Sequence, residues 1–491
     1  MRPSLRPFPR LQALVAAAVC LFIAEAPAAG QQERFRRTPP LPETFRELRL
    51  PEIERMVVGN GLTVAVNRRP GSPLVTLQLV IMAGEADSPP NLPHTATLAA
   101  RMLGRGMREV SAGDLENRIE SLGGDLSVEV FIDYTVLTLQ VLRENLDRAL
   151  DILRLILLQA EFTDQELASV RRSYYYELVE GRKNSESLGR RQLLRVLFEN
   201  HPYQTAASPE DAVKFVGAQD VAAFFSRFYR PNNAVFAVSG DVNGPPLARK
   251  IGQLFAPWIS RDVIRTPPAP PSPNNRDRVC FVDHPTSQDF VIFVGNLAGP
   301  PTGRDYYPFL VLNQVLGGTM GSRLFMNLRE SKGYAYDAFS GADFFRACGV
   351  FWARARVTPE SIAPAVQEIA RELRTLASVR AVPDEIEQAK SFLIGNLPLK
   401  FESLDGYARN LARVIGLGLG PAHWNLASDE LMRVNADLVL EAARRYFSPT
   451  PVVVIIGNRA WAAQALSDFP VVEVYDNTGA FKLTLRKGVE K

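Results

Sequence analysis

The chain is 491 residues long, and its 46% hydrophobic and 22% charged residues are ordinary for a globular protein. This length predicts about two to four domains. The 56 Lys and Arg residues nearly balance the 53 Asp and Glu residues, and the net charge is +3. So small an excess gives no electrostatic reason to expect a nucleic acid or a membrane surface as a partner, and we expect neither.

Residues 1–28 have the pattern of a secretory signal peptide. A basic start precedes an apolar run over 11–23, and the small-residue sequence Ala26-Pro27-Ala28 offers a cleavage site. The basic residues are Arg2, Arg6 and Arg10. The apolar run is too short to span a bilayer comfortably, although a retained signal anchor is the alternative. We therefore expect a secreted or periplasmic chain without a membrane span after cleavage.

Regular structure is predicted to begin after an extended, proline-containing leader over 29–54. Gly59-Asn60-Gly61 predicts a hairpin turn between a strand that starts at Met56 and a strand that ends at Val66. The elements that follow are a strand over 75–82, a helix over 91–106, a helix from Ser111 to Gly123, strands over 126–131 and 134–141, and helices over 146–158 and 164–180.

Five prolines between Pro267 and Pro273 predict a linker, because they fit neither a helix nor a central strand. The second half repeats the first: residues 162–167 are echoed by 382–386, and 228–231 by 446–449. The predicted parts are an N-terminal domain over 55–255, the linker over 256–277, a C-terminal domain over 278–475 and a tail over 476–491. The predicted fold class is α+β, with two homologous lobes, each a mostly antiparallel sheet with helices packed on it, forming a clamshell around a cavity.

The stretch from Leu316 to Ser340 predicts a glycine loop, a helix, a turn and a strand in that order. Ser322 is a candidate cap for the helix, and Gly333 is expected to end it. Arg329 near the helix end and Tyr336 on the next strand are seven residues apart across the turn. Such a pair can meet a peptide backbone from one side.

This stretch resembles the C-terminal halves of pitrilysin-like, M16-type metallopeptidases, which carry LGG...SRLF..LRE..G.AY...S. The matching residues are Leu316, Gly317, Gly318, Ser322, Arg323, Leu324, Phe325, Leu328, Arg329, Glu330, Ala335, Tyr336 and Ser340. In that family the Arg and Tyr hold substrate near the metal of the other half, and the resemblance implies this role for Arg329 and Tyr336. The alternative is that they are an ordinary surface helix residue and a half-buried strand aromatic.

The zinc motif of the family, His-x-x-Glu-His, is missing from the helix that should carry it. Counting back from Gly106, the motif positions are Thr97, Ala100 and Arg101, and counting forward from Leu92-Pro93-His94 they are His94, Thr97 and Leu98. Either register lacks the general base and at least one imidazole. The guanidinium of Arg101 would also repel a metal dication. His94 is interpreted as a helix-start residue with its ring hydrogen-bonded locally.

Glu177 falls where the third zinc ligand of the family is expected. Without partner histidines we interpret it as a remnant or as a surface carboxylate paired with an Arg. An active site built from His94 and Glu177 would have too few ligands for catalytic zinc. Cys280 and Cys348, which remain after signal removal, are also too few for a structural zinc site, and they form either a disulfide or two buried thiols.

Family assemblies commonly combine a subunit that carries the zinc motif with one that lacks it. The leading hypothesis is therefore a non-catalytic subunit that binds no cofactor itself, pairs with a zinc-bearing M16 subunit and contacts its peptide substrate through Arg329 and Tyr336. The alternative is a catalytically inert peptide-binding or structural envelope protein of the same fold.

Overall fold

The computed structural model describes residues 49–105, 107–264, 268–273, 277–447 and 450–487. The predicted signal peptide, most of the predicted leader and Gly106 lie outside these residues. None of the helices within the described ranges combines the length and the apolar character needed to cross a bilayer.

The N-terminal half forms one sheet and the helices around it. Its strands are β1 (Glu54–Val57), β2 (Thr63–Arg68), β3 (Leu74–Ile81), β4 (Asp125–Val130), β5 (Thr135–Leu142) and β6 (Ala234–Gly240). Its helices are α1 (Thr95–Arg101), α2 (Ala112–Glu120), α3 (Leu146–Leu158), α4 (Asp164–Gly181), α5 (Ser185–Leu197), α6 (Ala218–Phe228) and α7 (Gly244–Leu254). The strand order is β1-β2-β6-β3-β5-β4, with β2 and β6 parallel and the other neighbours antiparallel.

The C-terminal half is built in the same way. Its strands are β7 (Arg278–Asp283), β8 (Phe290–Ala298), β9 (Ala335–Phe344), β10 (Gly349–Val357), β11 (Val452–Gly457), β12 (Val471–Tyr475) and β13 (Phe481–Arg486). Its helices are α8 (Tyr306–Gly317), α9 (Ile362–Ser378), α10 (Pro383–Asn396), α11 (Leu404–Gly416), α12 (His423–Met432), α13 (Ala436–Tyr446) and α14 (Arg459–Leu466), and a π-helix covers Phe325–Ser331. Single 3₁₀ turns connect elements in both halves at Glu85–Asp87, Arg143–Asn145, Pro202–Ala207, Glu210–Phe215, Pro231–Asn233, Pro359–Ser361 and Pro398–Phe401.

The two sheets share one topology. The second sheet has the order β13-β12-β7-β11-β8-β10-β9, and its run β7-β11-β8-β10-β9 matches β2-β6-β3-β5-β4 of the first. The senses match as well, since the first pair of each run is parallel and the rest are antiparallel. The predicted α+β class, with two similar lobes of mostly antiparallel sheet, is confirmed.

One helix of each half packs on the sheet of the other half. Helix α5 packs on β8 and β11, and α11 packs on β3 and β6. Glycine permits the close approach of α5, because a Cβ on Gly189 would lie 2.5 Å from the Phe293 ring. The two lobes are therefore interlocked and share their apolar interior.

The segment assigned from sequence as a C-terminal tail, 476–491, carries the last strand of the second sheet. Strand β13 pairs with β12, and Leu483 and Leu485 pack against the core of the C-terminal half. The turn between the two strands contacts α5, where Arg195 Nη1 donates a hydrogen bond to the carbonyl oxygen of Gly479 at 2.7 Å. The alternation of apolar residues along β13 explains why it joins the sheet.

The two hairpin turns that end β4–β5 and β9–β10 meet around a buried carboxylate. The Tyr203 hydroxyl donates a hydrogen bond to Asp133 Oδ1 at 2.8 Å and accepts one from the backbone amide of Ala347 at 3.1 Å. The backbone amide of Arg346 donates to Asp133 Oδ2 at 2.8 Å. These bonds join the lobes at a point from which water is excluded, since Asp133 and Tyr203 are both buried.

We expect Tyr203→Phe to lower the free energy of unfolding by about 1–3 kcal/mol, because the Ala347 amide loses this acceptor in a buried setting. Urea unfolding followed by circular dichroism measures the change. Tyr176→Phe is the matched control, because the Tyr176 side chain is exposed. Equal stabilities of the two variants would contradict the role given to the Tyr203 hydroxyl.

Candidate functional site

The degenerate motif position Arg101 on α1 and the possible remnant Glu177 on α4 form an ion pair. Arg101 Nη1 lies 2.7 Å from Glu177 Oε2, and Arg101 Nη2 lies 2.9 Å from Glu177 Oε1. The guanidinium also stacks over the Tyr174 ring, 4.4 Å from its centroid. Because Glu177 contacts Arg101, the structure favours the register in which the motif positions are Thr97, Ala100 and Arg101.

The side chains at these positions do not fit a zinc ion. Thr97 Oγ1 donates a hydrogen bond to Glu85 Oε2 at 2.8 Å, Ala100 offers only a buried methyl group, and Arg101 brings a positive charge to the remaining carboxylate. Across the residues that the structure describes, no cluster of three or more His, Cys, Asp or Glu side chains is arranged to hold a metal ion.

His94 is held at the start of α1 by local contacts. It is the N-cap residue, its backbone is left-handed at φ 70°, and its side chain is buried. Nδ1 lies 3.2 Å from the Tyr174 hydroxyl and Nε2 lies 3.3 Å from the carbonyl oxygen of Pro209. Burial lowers the pKa of its imidazole. His94 therefore has contacts of its own, while Glu177 is paired with Arg101, so the structure offers no support for a site built from these two residues.

A buried carboxylate that sequence reasoning missed lies beneath α1. Glu85 accepts hydrogen bonds from the His94 backbone amide at 2.5 Å, from Ser88 Oγ at 3.0 Å and from Thr97 Oγ1 at 2.8 Å. Burial is the main influence on this group and raises its pKa to about 7, although the hydrogen bonds lower it. In the sequence, Glu85 is a single Glu between an apolar strand and the start of a helix. This pattern does not indicate that its carboxylate is buried.

The segment that carries Arg329 is a π-helix anchored on α9. The amide Nδ2 of Asn327 donates to Glu368 Oε2 at 3.1 Å and to Glu372 Oε1 at 2.7 Å. Ser322 directly precedes the first helical residue, Arg323, but its hydroxyl donates to the carbonyl oxygen of Thr319 and so does not cap a helix amide. The predicted stop is confirmed: just beyond the π-helix, Gly333 has a left-handed backbone with φ 64°. Wide π turns of this kind are frequent at functional sites.

Arg329 and Tyr336 both reach solvent at the corner where the π-helix packs on β9. The Arg329 side chain is 47% exposed, lies over the Phe325 ring and has Nε 3.7 Å from Glu330 Oε1. Tyr336 is 62% exposed, and its hydroxyl has no hydrogen-bond partner among the described residues.

Tyr336 lies at a β-bulge. Asp337 pairs with Arg356 and Ala335 pairs with Val357, so Tyr336 is an extra residue on β9. A bulge on an edge strand re-aims a side chain, and bulges are common beside active sites. The structure thus presents the two predicted contact residues at one corner, without bringing them into direct contact.

The two remaining cysteines are free thiols. Cys280 and Cys348 are both buried and unpaired. Burial raises the pKa of the Cys280 thiol to about 12 and raises that of Cys348 as well. Of the two alternatives left open by the sequence, the structure supports buried thiols, which are unreactive in this protonated state.

Two family models match successive parts of the chain. Residues 63–209 match the model described as insulinase, peptidase family M16, and residues 216–393 match the peptidase M16 inactive domain. The chain belongs to peptidase family M16. The M16 assignment covers both lobes and agrees with the resemblance found in the sequence.

Relatives of this M16 chain include proteins named as zinc proteases and a protein named as a non-peptidase homolog. An uncharacterized zinc protease of Streptomyces coelicolor is 24% identical and covers 71% of this chain and 77% of its own. The non-peptidase homolog YmxG of Helicobacter pylori is also 24% identical, over 72% of this chain and 81% of its own.

Solved structures share the fold at low identity. A peptidase M16 inactive domain from Pseudomonas fluorescens superimposes with a TM-score of 0.75 at 20% identity, covering 83% of this chain and 98% of that one. A protease from Helicobacter pylori gives a TM-score of 0.77 at 19% identity, covering 83% of this chain and all of that one. These matches show that the chain shares the fold of both structures.

We expect Glu85 to make stability depend on pH. Its folded pKa of about 7 lies above the ordinary value of 4.5, so its stabilising contribution is fully present below about pH 4.5 and is lost as the pH rises through 7. The loss amounts to about 3 kcal/mol. Glu85→Gln cannot titrate, so its stability relative to wild type should increase between pH 5 and pH 8.

Urea unfolding at pH 5, 6, 7 and 8 measures this difference. The four histidines are present in both proteins, so the comparison isolates Glu85. Glu180→Gln is the control, because that carboxylate is exposed and forms a surface ion pair with Lys183. A constant difference between wild type and Glu85→Gln across the range would contradict the expectation.

Proposed function

We propose that this chain is a non-catalytic subunit that pairs with a zinc-bearing M16 subunit and contributes Arg329 and Tyr336 to the partner's peptidase site. One contrast carries the proposal. The zinc position of the N-terminal lobe is filled by the Arg101–Glu177 ion pair, whereas Arg329 and Tyr336 of the C-terminal lobe are exposed at one corner. Both groups are therefore accessible to a peptide held at that corner.

The chemistry of the two side chains suits a substrate contact. A guanidinium binds a peptide carboxylate or carbonyl oxygen, and a phenol donates a hydrogen bond to the oxygen that becomes negative during hydrolysis. The π-helix and the β-bulge support the proposal, because irregular backbone of both kinds is frequent at functional sites. In this arrangement the present chain binds no cofactor, and the zinc ion belongs to the partner.

We also propose a secreted or periplasmic location. The support is the signal-like pattern of residues 1–28 in the sequence, with its basic start, apolar run and small-residue cleavage site. The partner and its peptide substrates would then meet this subunit outside the cytoplasm.

A second candidate function is peptide binding, or a structural role in the cell envelope, without any contribution to chemistry. The observation that favours it is the exposed apolar surface beside Arg329, where the side chains of Met320 and Met326 are 67% and 48% exposed. Flexible methionines suit a surface that accepts varied peptides. In this case Arg329 and Tyr336 would affect the affinity for peptides but not the turnover of a partner.

We expect the purified mature chain to contain no stoichiometric zinc and to hydrolyse no peptide alone, because its motif positions cannot ligate the metal. Mixed with a zinc-bearing M16 subunit from the same organism, it should raise hydrolysis of internally quenched peptides above the partner's own rate. Metal analysis and fluorescence assays measure both. Stoichiometric zinc together with hydrolysis by the chain alone would overturn the proposal.

We expect Arg329→Ala and Tyr336→Phe each to lower turnover by the reconstituted pair at least about tenfold, with assembly intact. The loss of one transition-state donor typically costs about 3 kcal/mol. Size-exclusion chromatography checks assembly. Arg433→Ala and Tyr176→Phe are matched controls, because both side chains are exposed. Neither residue belongs to the π-helix or to β9, whose corner carries Arg329 and Tyr336 and is here called the Arg329 corner. Unchanged turnover would refute the shared site, whereas a change in peptide affinity alone would favour the second candidate.

A further inference from the structure

The N-terminal lobe reaches the corner that carries Tyr336. Helix α5 belongs to the N-terminal half but lies on the second sheet, and Glu186 in its first turn faces β10. The carboxylate of Glu186 forms an ion pair with Arg354, and its Oε1 lies 3.4 Å from Arg356 Nη2. A carboxylate from one lobe therefore contacts two guanidinium groups of the other.

The same two arginines hold the residue that follows Tyr336. Arg354 Nη2 lies 3.0 Å from Asp337 Oδ1, and Arg356 Nε lies 3.9 Å from Asp337 Oδ2. These are charge contacts rather than well-aligned hydrogen bonds, because Asp337 Oδ1 and Arg356 Nε have no hydrogen-bond partner. Asp289 contributes a further carboxylate, 4.0 Å from Arg356 Nη1.

The bulge depends on contacts of this kind because β9 is the edge of the sheet. Among the described residues β9 pairs with β10 alone, so no second described strand fixes its register. At the bulge, Tyr336 and Asp337 together oppose Arg356. The ion pairs of Asp337 are side-chain contacts to β10 directly beside Tyr336.

We propose that Glu186 is a positioning residue for Tyr336, acting through Arg354, Arg356 and Asp337. The proposal rests on the proposed function, since it concerns the Tyr that would contact substrate. Without Glu186, Arg354 and Arg356 lose their shared counter-charge and are drawn to the remaining carboxylates, Asp337 and Asp289. The contacts that hold the bulge then change, and the Tyr336 hydroxyl no longer has one fixed direction.

This role explains what the N-terminal lobe supplies after the loss of its zinc ligands. Helix α5 covers the second sheet and also carries the carboxylate that orders the Arg329 corner. Arg190 of α5 makes a similar ion pair with Asp343, 2.6 Å apart, at the other end of β9. Arg190 is therefore a natural comparison for an α5 contact that lies away from Tyr336.

The test is a double-mutant cycle in the reconstituted pair, assayed with internally quenched peptides. Glu186→Gln should lower kcat at least about threefold with KM within about twofold, and it should add no loss in a Tyr336→Phe background. Glu186→Asp should recover part of the loss. Arg190→Gln should leave kcat within about twofold of wild type.

Hydrogen exchange on the isolated chain gives a readout that does not depend on activity. Glu186→Gln should speed exchange of the amides from Tyr336 to Ser340 at least about fivefold, and Arg190→Gln should not. Asp337→Asn, which breaks the same contacts from the other end, should reproduce the effect if Glu186→Gln fails to fold.

The outcomes separate this inference from the proposed function. If Tyr336→Phe leaves turnover unchanged, the proposed function fails, and the inference fails with it as a statement about substrate contact. If Tyr336→Phe lowers turnover but Glu186→Gln has no effect, or an equal effect in both backgrounds, the proposed function stands and Glu186 is not a positioning residue. Equal losses from Glu186→Gln and Arg190→Gln would also overturn the inference, because they would indicate general loosening of α5.

Discussion

The packing of α5 on the second sheet and of α11 on the first sheet is the constraint on which the rest of this structure depends. A sheet in a globular protein buries its apolar faces against other elements. Here each sheet is covered on one face by helices of its own half and on the other face by the helix that arrives from the other half. In the shared clusters, Leu193 and Leu197 of α5 pack with residues of the second sheet, and Leu411 and Ile415 of α11 pack with residues of the first. Neither lobe buries its own apolar surface completely.

The interlocked core gives a physical reason for keeping an N-terminal lobe that has no zinc ligands. Removal of that lobe would expose the face of the second sheet that α5 covers, and hydrophobic burial is the main stabilising term in folding. The Arg101–Glu177 pair contributes little by comparison. Both side chains are partly exposed, and such pairs are worth about 0–1 kcal/mol. The pair fills the former metal position without being needed to hold α1 and α4 together.

Local features were predictable from the sequence, and long-range ones were not. The turn at Gly59-Asn60-Gly61, the stop at Gly333 and the duplication follow from residue types and spacing alone. The missed features depend on contacts between distant residues. Among these, Asn327 binds two glutamates of α9, Tyr336 is displaced by a one-residue register shift, and α5 crosses to the other sheet. Glu85 was missed for a related reason. Packing buries it and raises its pKa, and the residue types next to it in the sequence do not indicate this burial.

The candidate site joins two irregular pieces of backbone, a π-helix that carries Arg329 and a bulge that carries Tyr336. Irregular backbone of this kind persists only where the surrounding structure fixes it. Helix α9 fixes the first piece through Glu368 and Glu372, which bind Asn327. The ion pairs of Asp337 with β10, to which α5 contributes Glu186, fix the second. The corner is thus held from within the C-terminal lobe on one side and by the zinc-free lobe on the other, so substitutions in either lobe can change how it meets a peptide.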